Sequence, residues 1–229
     1  MKSPGTFIWA CVALFLLAPR ADATFWVEAG DAGQLPNAAQ VVLGDSSPLT
    51  GISGSLSSTG DRDMYLIYIT GGGTFSATTV GQPGTLLDTQ LFLFNAAGRG
   101  VYANDDDAAG EGFNQYRSTL PANGPLTPLA AGFYYLLITA SPIFPTGTGG
   151  VIFPNYTTPG GSGTAVVGPT GPGGGSVITG YTGTGVEFGS YQIALTGATA
   201  VPEPSSLASA GIAGVVGLLA LARRRRRAA

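Results

Sequence analysis

The chain has 229 residues, ten of them basic and thirteen acidic, with one cysteine and no histidine. Seven of the basic residues lie at the two ends, so the stretch from Thr24 to Ala200 sets eleven acids against Arg62, Arg99 and Arg117, a net charge of −8. That balance excludes a nucleic-acid binder, which needs clustered cations to neutralise phosphates, and suits a cation binder. The same stretch contains no His, Lys or Cys, which excludes a serine nucleophile with a conventional base, thiol catalysis and zinc sites built on His or Cys.

The N-terminal segment has three parts: a positive Lys2, an apolar run from Phe7 to Ala18, and the small-x-small triplet Ala21-Asp22-Ala23. This is the secretory-signal pattern, with Ala21 and Ala23 defining cleavage before Thr24. A twelve-residue run is short for the ~30 Å hydrocarbon core, which argues against a first transmembrane helix. The lone Cys11 lies inside the run, and the bulky Trp9 stands where a lipoprotein signal wants a small residue. With Cys11 removed, the domain that follows has no disulfide.

Strand signals recur from there on, and amphipathic helix signals do not. Ile52, Gly54 and Leu56 alternate with serines, as in a half-buried strand. Met64 to Ile69 is apolar on both faces, as in a central strand, and Phe75 to Val80 is Thr-rich. Leu91 to Phe94 and Val101 to Asn104 flank a hairpin-like turn at Asn95 to Gly100. Phe133 to Thr139 is a strong apolar strand, and Tyr191, Ile193 and Leu195 alternate with polar or small residues in a last one. Seven or eight short strands with Gly, Asp and Pro turns predict an all-β sandwich over residues 24–200. Residues 142–189, with Gly160 to Gly163 and Gly171 to Gly175, read as a Gly-rich flexible insertion holding at most one weak hairpin.

The acidic run Asn104-Asp105-Asp106-Asp107, with Glu111 nearby, is the best local candidate for a site, and Asp61, Asp63 and Asp88 could converge on it from neighbouring turns. Calcium takes six to eight oxygen ligands, several of which adjacent carboxylates can supply. Asp and Asn also favour turns for their own hydrogen bonds, so calcium binding and turn chemistry both stand as readings. Two further readings belong to the same residues. A calcium-dependent glycan-binding module requires an exposed aromatic patch beside the aspartates. A carboxylate-only hydrolase requires two carboxyls facing each other across a cleft.

The pattern Ile52-x-Gly54-x-Leu56, Asp61-x-Asp63-x-Tyr65, Asp88-x-x-Leu91-x-Leu93-Phe94, Asn104-Asp105-Asp106 and Gly132-x-Tyr134-Tyr135-Leu136 resembles the bacterial pre-peptidase C-terminal domain, over roughly Val41 to Leu195. The resemblance implies a small jelly-roll-like β-sandwich, a non-catalytic accessory role and, in some members, bound calcium. The Gly-rich insertion before the last strand departs from the family pattern.

The C-terminal segment reads Val201-Pro202-Glu203-Pro204-Ser205, then seventeen mostly apolar residues from Ser206 to Ala222, then Arg223, Arg224, Arg225, Arg226 and Arg227. The prolines keep the chain extended and predict an exposed, protease-accessible Glu203. As a helix the apolar run would measure roughly 25 Å, enough for a single transmembrane span with snorkelling arginines. The arginines stop transfer at the cytoplasmic face. Motif, apolar run and Arg cluster in this order resemble the PEP-CTERM sorting signal of Gram-negative bacteria. The resemblance implies processing by an exosortase, a membrane-embedded Cys protease-transpeptidase, with Val201, Pro202, Glu203 and Pro204 as recognition residues. An anchor that is never cut is the alternative.

Together these readings give a non-catalytic protein exported across the inner membrane by the secretion machinery. It is anchored by its C-terminal helix and then delivered to the cell surface or a biofilm matrix, with exopolysaccharide as a candidate partner and calcium as the only candidate cofactor.

Overall fold

The computed structural model describes residues 23–85, 88–107, 116–154 and 165–203. The expected signal segment up to Asp22, Glu111, Pro204, the apolar run and the Arg cluster lie outside the described residues. Among the described residues there is no α-helix, and none is long and apolar enough to cross a membrane.

Two sheets face each other. The first runs, in spatial order, β1 (Thr24–Val27), β4 (Leu49–Leu56), β14 (Gly189–Thr196), β6 (Ser76–Thr78) and β9 (Thr119–Leu120). The second runs β5 (Arg62–Ile69), β10 (Gly132–Ala140), β7 (Thr89–Asn95) and β8 (Gly100–Asn104). The outer edge of β5 is shared by β2 (Gln40–Val41) and β15 (Ala198–Thr199). A parallel pair, β3 (Leu43–Gly44) with β16 (Val201–Pro202), closes one end. This is the all-β, two-sheet arrangement that the strand signals predict.

Strand parity explains the core. Successive side chains point to opposite faces, so Ile52 and Leu56 of β4, Tyr191, Ile193 and Leu195 of β14, and Tyr65, Ile67 and Ile69 of β5 all turn inward into one cluster. Each large apolar side chain buried there contributes roughly 1.5–3 kcal/mol. Between β7 and β8, Asn95 accepts hydrogen bonds on Oδ1 from the amides of Ala97 (3.0 Å) and Arg99 (3.1 Å), and Gly98 takes φ +73°. That is the hairpin turn read from the sequence, since the left-handed conformation favours glycine.

Residues 142–189 differ from the flexible insertion expected of them. Their described part carries β11 (Ile143–Gly147), β12 (Gly150–Val151) and β13 (Gly180–Gly183), a three-stranded sheet in the order β12-β11-β13. With Ile152, Phe153 and Ile178 this layer covers the outer face of the second sheet, packing on Met64, Phe92, Phe94 and Leu137. The Phe153 ring lies 5.5 Å from that of Phe92 and 5.8 Å from that of Phe94. The outward-facing Met64 of β5 is apolar because this layer covers it, while the outward-facing Tyr68 at the other end of the strand is half-buried beside Phe133. The glycines serve close packing: a Cβ on Gly174 would stand 1.8 Å from the Pro169 carbonyl oxygen, and one on Gly171 2.4 Å from that of Val151.

The two long sheets give the domain two poles. β10 pairs Gly132 with Ile69 at one end and Ala140 with Thr89 at the other, roughly 26 Å apart at ~3.3 Å per residue. Asp88, the end of β8 and Ser141 lie at the Ala140 pole. The ends of β5 and β14 and the pair β3–β16 lie at the Gly132 pole.

Candidate cation site and sorting strand

At the Ala140 pole, Asp88 precedes β7, and Asp105 and Asp106 follow β8. Because Leu91 pairs with Asn104, the start of one strand and the end of the next bring all three carboxyls together. One oxygen from each lies within 4.8 Å of the others. A point between three such oxygens lies at most about 2.8 Å from each, close to the ~2.3–2.6 Å of calcium–oxygen bonds, so a small closing of the side chains would let one ion reach all three. Asp105 is 3 % exposed. Asp88 Oδ1, Asp105 Oδ1 and the neighbouring Gln90 Nε2 are buried with no hydrogen-bond partner among the described residues.

Burial, together with the charges of Asp106 and Asp88, pushes the Asp105 carboxyl up to about 8. Burial, then Asp106 and Glu187, pushes Asp88 up to about 7, and burial raises Asp106. Glu187 accepts the Asp88 amide on Oε2 at 3.2 Å. The three groups cannot all ionise near neutral pH without a cation, and unpartnered carboxylate oxygens are what a hard divalent ion uses.

The other proposed ligands fall elsewhere. Asp61 caps a turn, accepting the amides of Ser57 (2.6 Å) and Arg62 (2.8 Å). The Asp107 amide donates to the Arg117 carbonyl at 2.7 Å, and Asp107 is absent from the three-carboxyl group. Asp63 joins a second acidic group with Glu28 and Asp31. It is fully buried, accepts the Tyr191 hydroxyl on Oδ2 at 2.6 Å, and Tyr191 in turn meets Tyr65 at 2.5 Å. Burial pushes the Asp63 carboxyl up to about 8, with the charges of Glu28, Asp61 and Asp31 adding to it. Glu28 already serves the backbone, accepting the amides of Ala32 (2.8 Å) and Ser55 (2.9 Å). Sequence reasoning missed Glu28, Asp31 and Glu187. The one local signal was the alternation Thr24-x-Trp26-x-Glu28, which puts Glu28 in line with the half-buried side of β1.

Two exposed aromatics stand next in sequence to residues bonded near the Asp88 group. Phe188, 62 % exposed, follows Glu187, and Tyr116, 47 % exposed, precedes Arg117, whose carbonyl holds Asp107.

At the opposite pole the described chain runs into the Pro-Glu-Pro motif while still paired. The Val201 amide donates to the Val42 carbonyl at 2.7 Å and the Glu203 amide to the Gly44 carbonyl at 3.1 Å. Val201 and Pro202 are half-buried and Glu203 is exposed. Glu203 is therefore accessible, as the prolines predict, but the motif opens on a strand of the domain rather than on a free linker. At the N-terminal start of the domain, and at this same pole because Pro48 bridges Thr199, the exposed Ala23 precedes Thr24, whose amide donates to the Pro48 carbonyl at 2.7 Å. The expected cleavage point thus abuts β1.

A family model of the PEP-CTERM protein-sorting motif matches residues 200–227. The match indicates an exported protein, sorted through an exosortase and membrane-anchored before processing. No curated protein matches the chain.

Proposed function

We propose that this chain is a non-catalytic module of the cell surface or exopolysaccharide matrix of a Gram-negative bacterium, exported after removal of residues 1–23 and processed by an exosortase at Val201 to Pro204. The observation that carries the reading is continuity: the sorting-motif match begins at residue 200, where a folded β-domain ends in β16. The absence of His, Lys and Cys from residues 24–200 and the burial of Asp105, which presents no carboxyl to a cleft, support a non-catalytic role. For the domain we adopt the jelly-roll-like pre-peptidase C-terminal reading, supported by its apolar pattern residues falling on β4, β5, β7 and β10 and its aspartates, Asp63 apart, falling at the strand ends of two facing sheets. Mass spectrometry of the surface-exposed protein tests the routing. A mature form starting at Thr24 and lacking the Arg cluster is expected; an intact Arg tail in the surface form would show an uncut anchor instead.

A second reading, a calcium-dependent glycan-binding module, is favoured by one arrangement: the exposed Phe188 and Tyr116 are chain neighbours of Glu187, which holds the Asp88 amide, and Arg117, which holds that of Asp107. Asp88, Asp105 and Asp106 would hold the ion, and the two rings would stack on sugar faces. A thermal melt in EDTA and across a calcium titration tests the first half. Binding to the folded state alone stabilises by about 2.7 kcal/mol at a hundredfold excess over Kd. Asp105→Asn removes a strained buried carboxyl, so it should raise the midpoint in EDTA and abolish the calcium increment. A midpoint indifferent to millimolar calcium would assign the group to turn chemistry.

A further inference from the structure

The pole at which the chain leaves the domain carries an uncharged aromatic groove of about 400 Å³, lined by Tyr68, Thr70, Phe133, Thr199, Val201 and Pro202. Tyr68 and Phe133 meet edge to face with centroids 5.4 Å apart, and Phe133 remains 45 % exposed. Leu43, in the strand paired with β16, and Leu129, whose carbonyl accepts the Gly72 amide, add exposed apolar surface near the same pole.

What lies beyond the groove follows from the chain itself. Two of its wall residues, Val201 and Pro202, are the first residues of the sorting motif, and the apolar run begins at Ser206, four residues after Pro202. Four residues reach at most ~14 Å fully extended, and the polar layer of a bilayer is about 5–8 Å deep on each side. A domain anchored through residues 206–222 therefore holds this pole against the membrane surface. Aromatic rings with a polar tip, such as Tyr68, suit that interfacial layer. The clustered acids Asp88–Asp105–Asp106 and Glu28–Asp31–Asp63 gather toward the other pole, while two single exposed acids, Asp45 after β3 and Glu203 after β16, border the groove.

We propose that the Tyr68–Phe133–Pro202 groove is a lipid-docking surface, which seats the domain on the bilayer while it is tethered and points its acidic pole away. The proposal rests on the reading that residues 206–222 hold the chain in a membrane.

The test uses the chain from Thr24 onward, the form that the proposed export leaves, carrying either Thr70→Cys at the groove or Val186→Cys near the acidic pole, each labelled with bimane. The protein is reconstituted in phosphatidylcholine–phosphatidylglycerol vesicles containing lipid brominated near the glycerol end of its acyl chains. Flotation with the vesicles reports anchoring; loss of fluorescence to bromine reports docking. Quenching at position 70, none at position 186, and loss of quenching when Phe133→Asp is added are expected. Flotation without quenching at position 70 overturns docking and leaves anchoring intact. A label at position 70 shielded from iodide but not quenched by brominated lipid also overturns it, because the groove is then covered by the chain's own tail or a second copy. Failure to float overturns the anchor and the docking together.

Discussion

At the residue scale the notable feature is a set of carboxyls held neutral by burial. Asp63 is the clearest, since its only hydrogen bond among the described residues comes from Tyr191 and its second oxygen is unpartnered. Its folded-state value, about 8, stands above the ordinary 3.8, so between those values the folded chain holds a proton that the unfolded chain has released. Stability contributed by the neutral form is intact below about pH 4 and is lost as pH rises toward 8, by at most about 1.4 kcal/mol per pH unit for this one group. The melting midpoint in EDTA should fall from pH 5 to pH 8, and Asp63→Asn, which cannot ionise, should flatten that slope. An unchanged slope in the variant would show that Asp63 is ionised in the fold. The sequence displays the acid at this position but not its neutrality, which arises because strand parity turns Asp63 inward with Tyr65 and Ile67.

At the scale of elements, the strands that carry their own alternation were legible. Ile52 to Leu56, Met64 to Ile69 and Tyr191 to Leu195 fall within β4, β5 and β14. The two-residue strands β2, β3, β15 and β16 were not, because two residues hold no period and their pairing is decided by the partner. The Gly-rich stretch misled for a different reason. Glycine in abundance signals freedom in an isolated chain, whereas here Gly171 and Gly174 let backbone lie on backbone beneath a Phe-rich cover. Phe153→Ala should therefore cost about 3–5 kcal/mol, the range for a large buried aromatic, as measured by denaturant melt; a loss under 1 kcal/mol would mean the cover contributes little. Gly174→Ala, with its Cβ set against the Pro169 carbonyl, should also destabilise.

At the scale of the whole molecule, the fold sets a pole that holds both acid clusters against one that holds an apolar groove bordered by Asp45 and Glu203, and attaches the sorting motif to the groove's pole. This couples processing to folding. β16 must separate from β3 for Val201 and Pro202 to enter a protease cleft as a free extended strand. A Cβ on Gly44 would stand 2.7 Å from the Ala200 Cβ, so Gly44→Val should loosen that pairing. The mature-to-precursor ratio in surface fractions, read by mass spectrometry, should rise in this variant. An unchanged ratio would show that the enzyme takes the motif from Glu203 onward and leaves β16 in place.

The sorting motif was legible in the sequence alone, because Pro-Glu-Pro, apolar run and Arg cluster follow one another as contiguous segments, matched over residues 200–227. The all-β class followed as well, because a two-residue period is local. Which acids meet was decided only by the tertiary structure. Asp88 and Asp105 lie seventeen residues apart and converge because β7 and β8 pair Leu91 with Asn104, while Asp61 and Asp63, adjacent in the same motif, part company through turn and strand parity. The groove likewise belongs to no segment. Residues near 70, 133 and 200 become neighbours only when β10 and β15 take opposite edges of β5, since a surface formed by long-range pairing leaves no periodic trace in the chain.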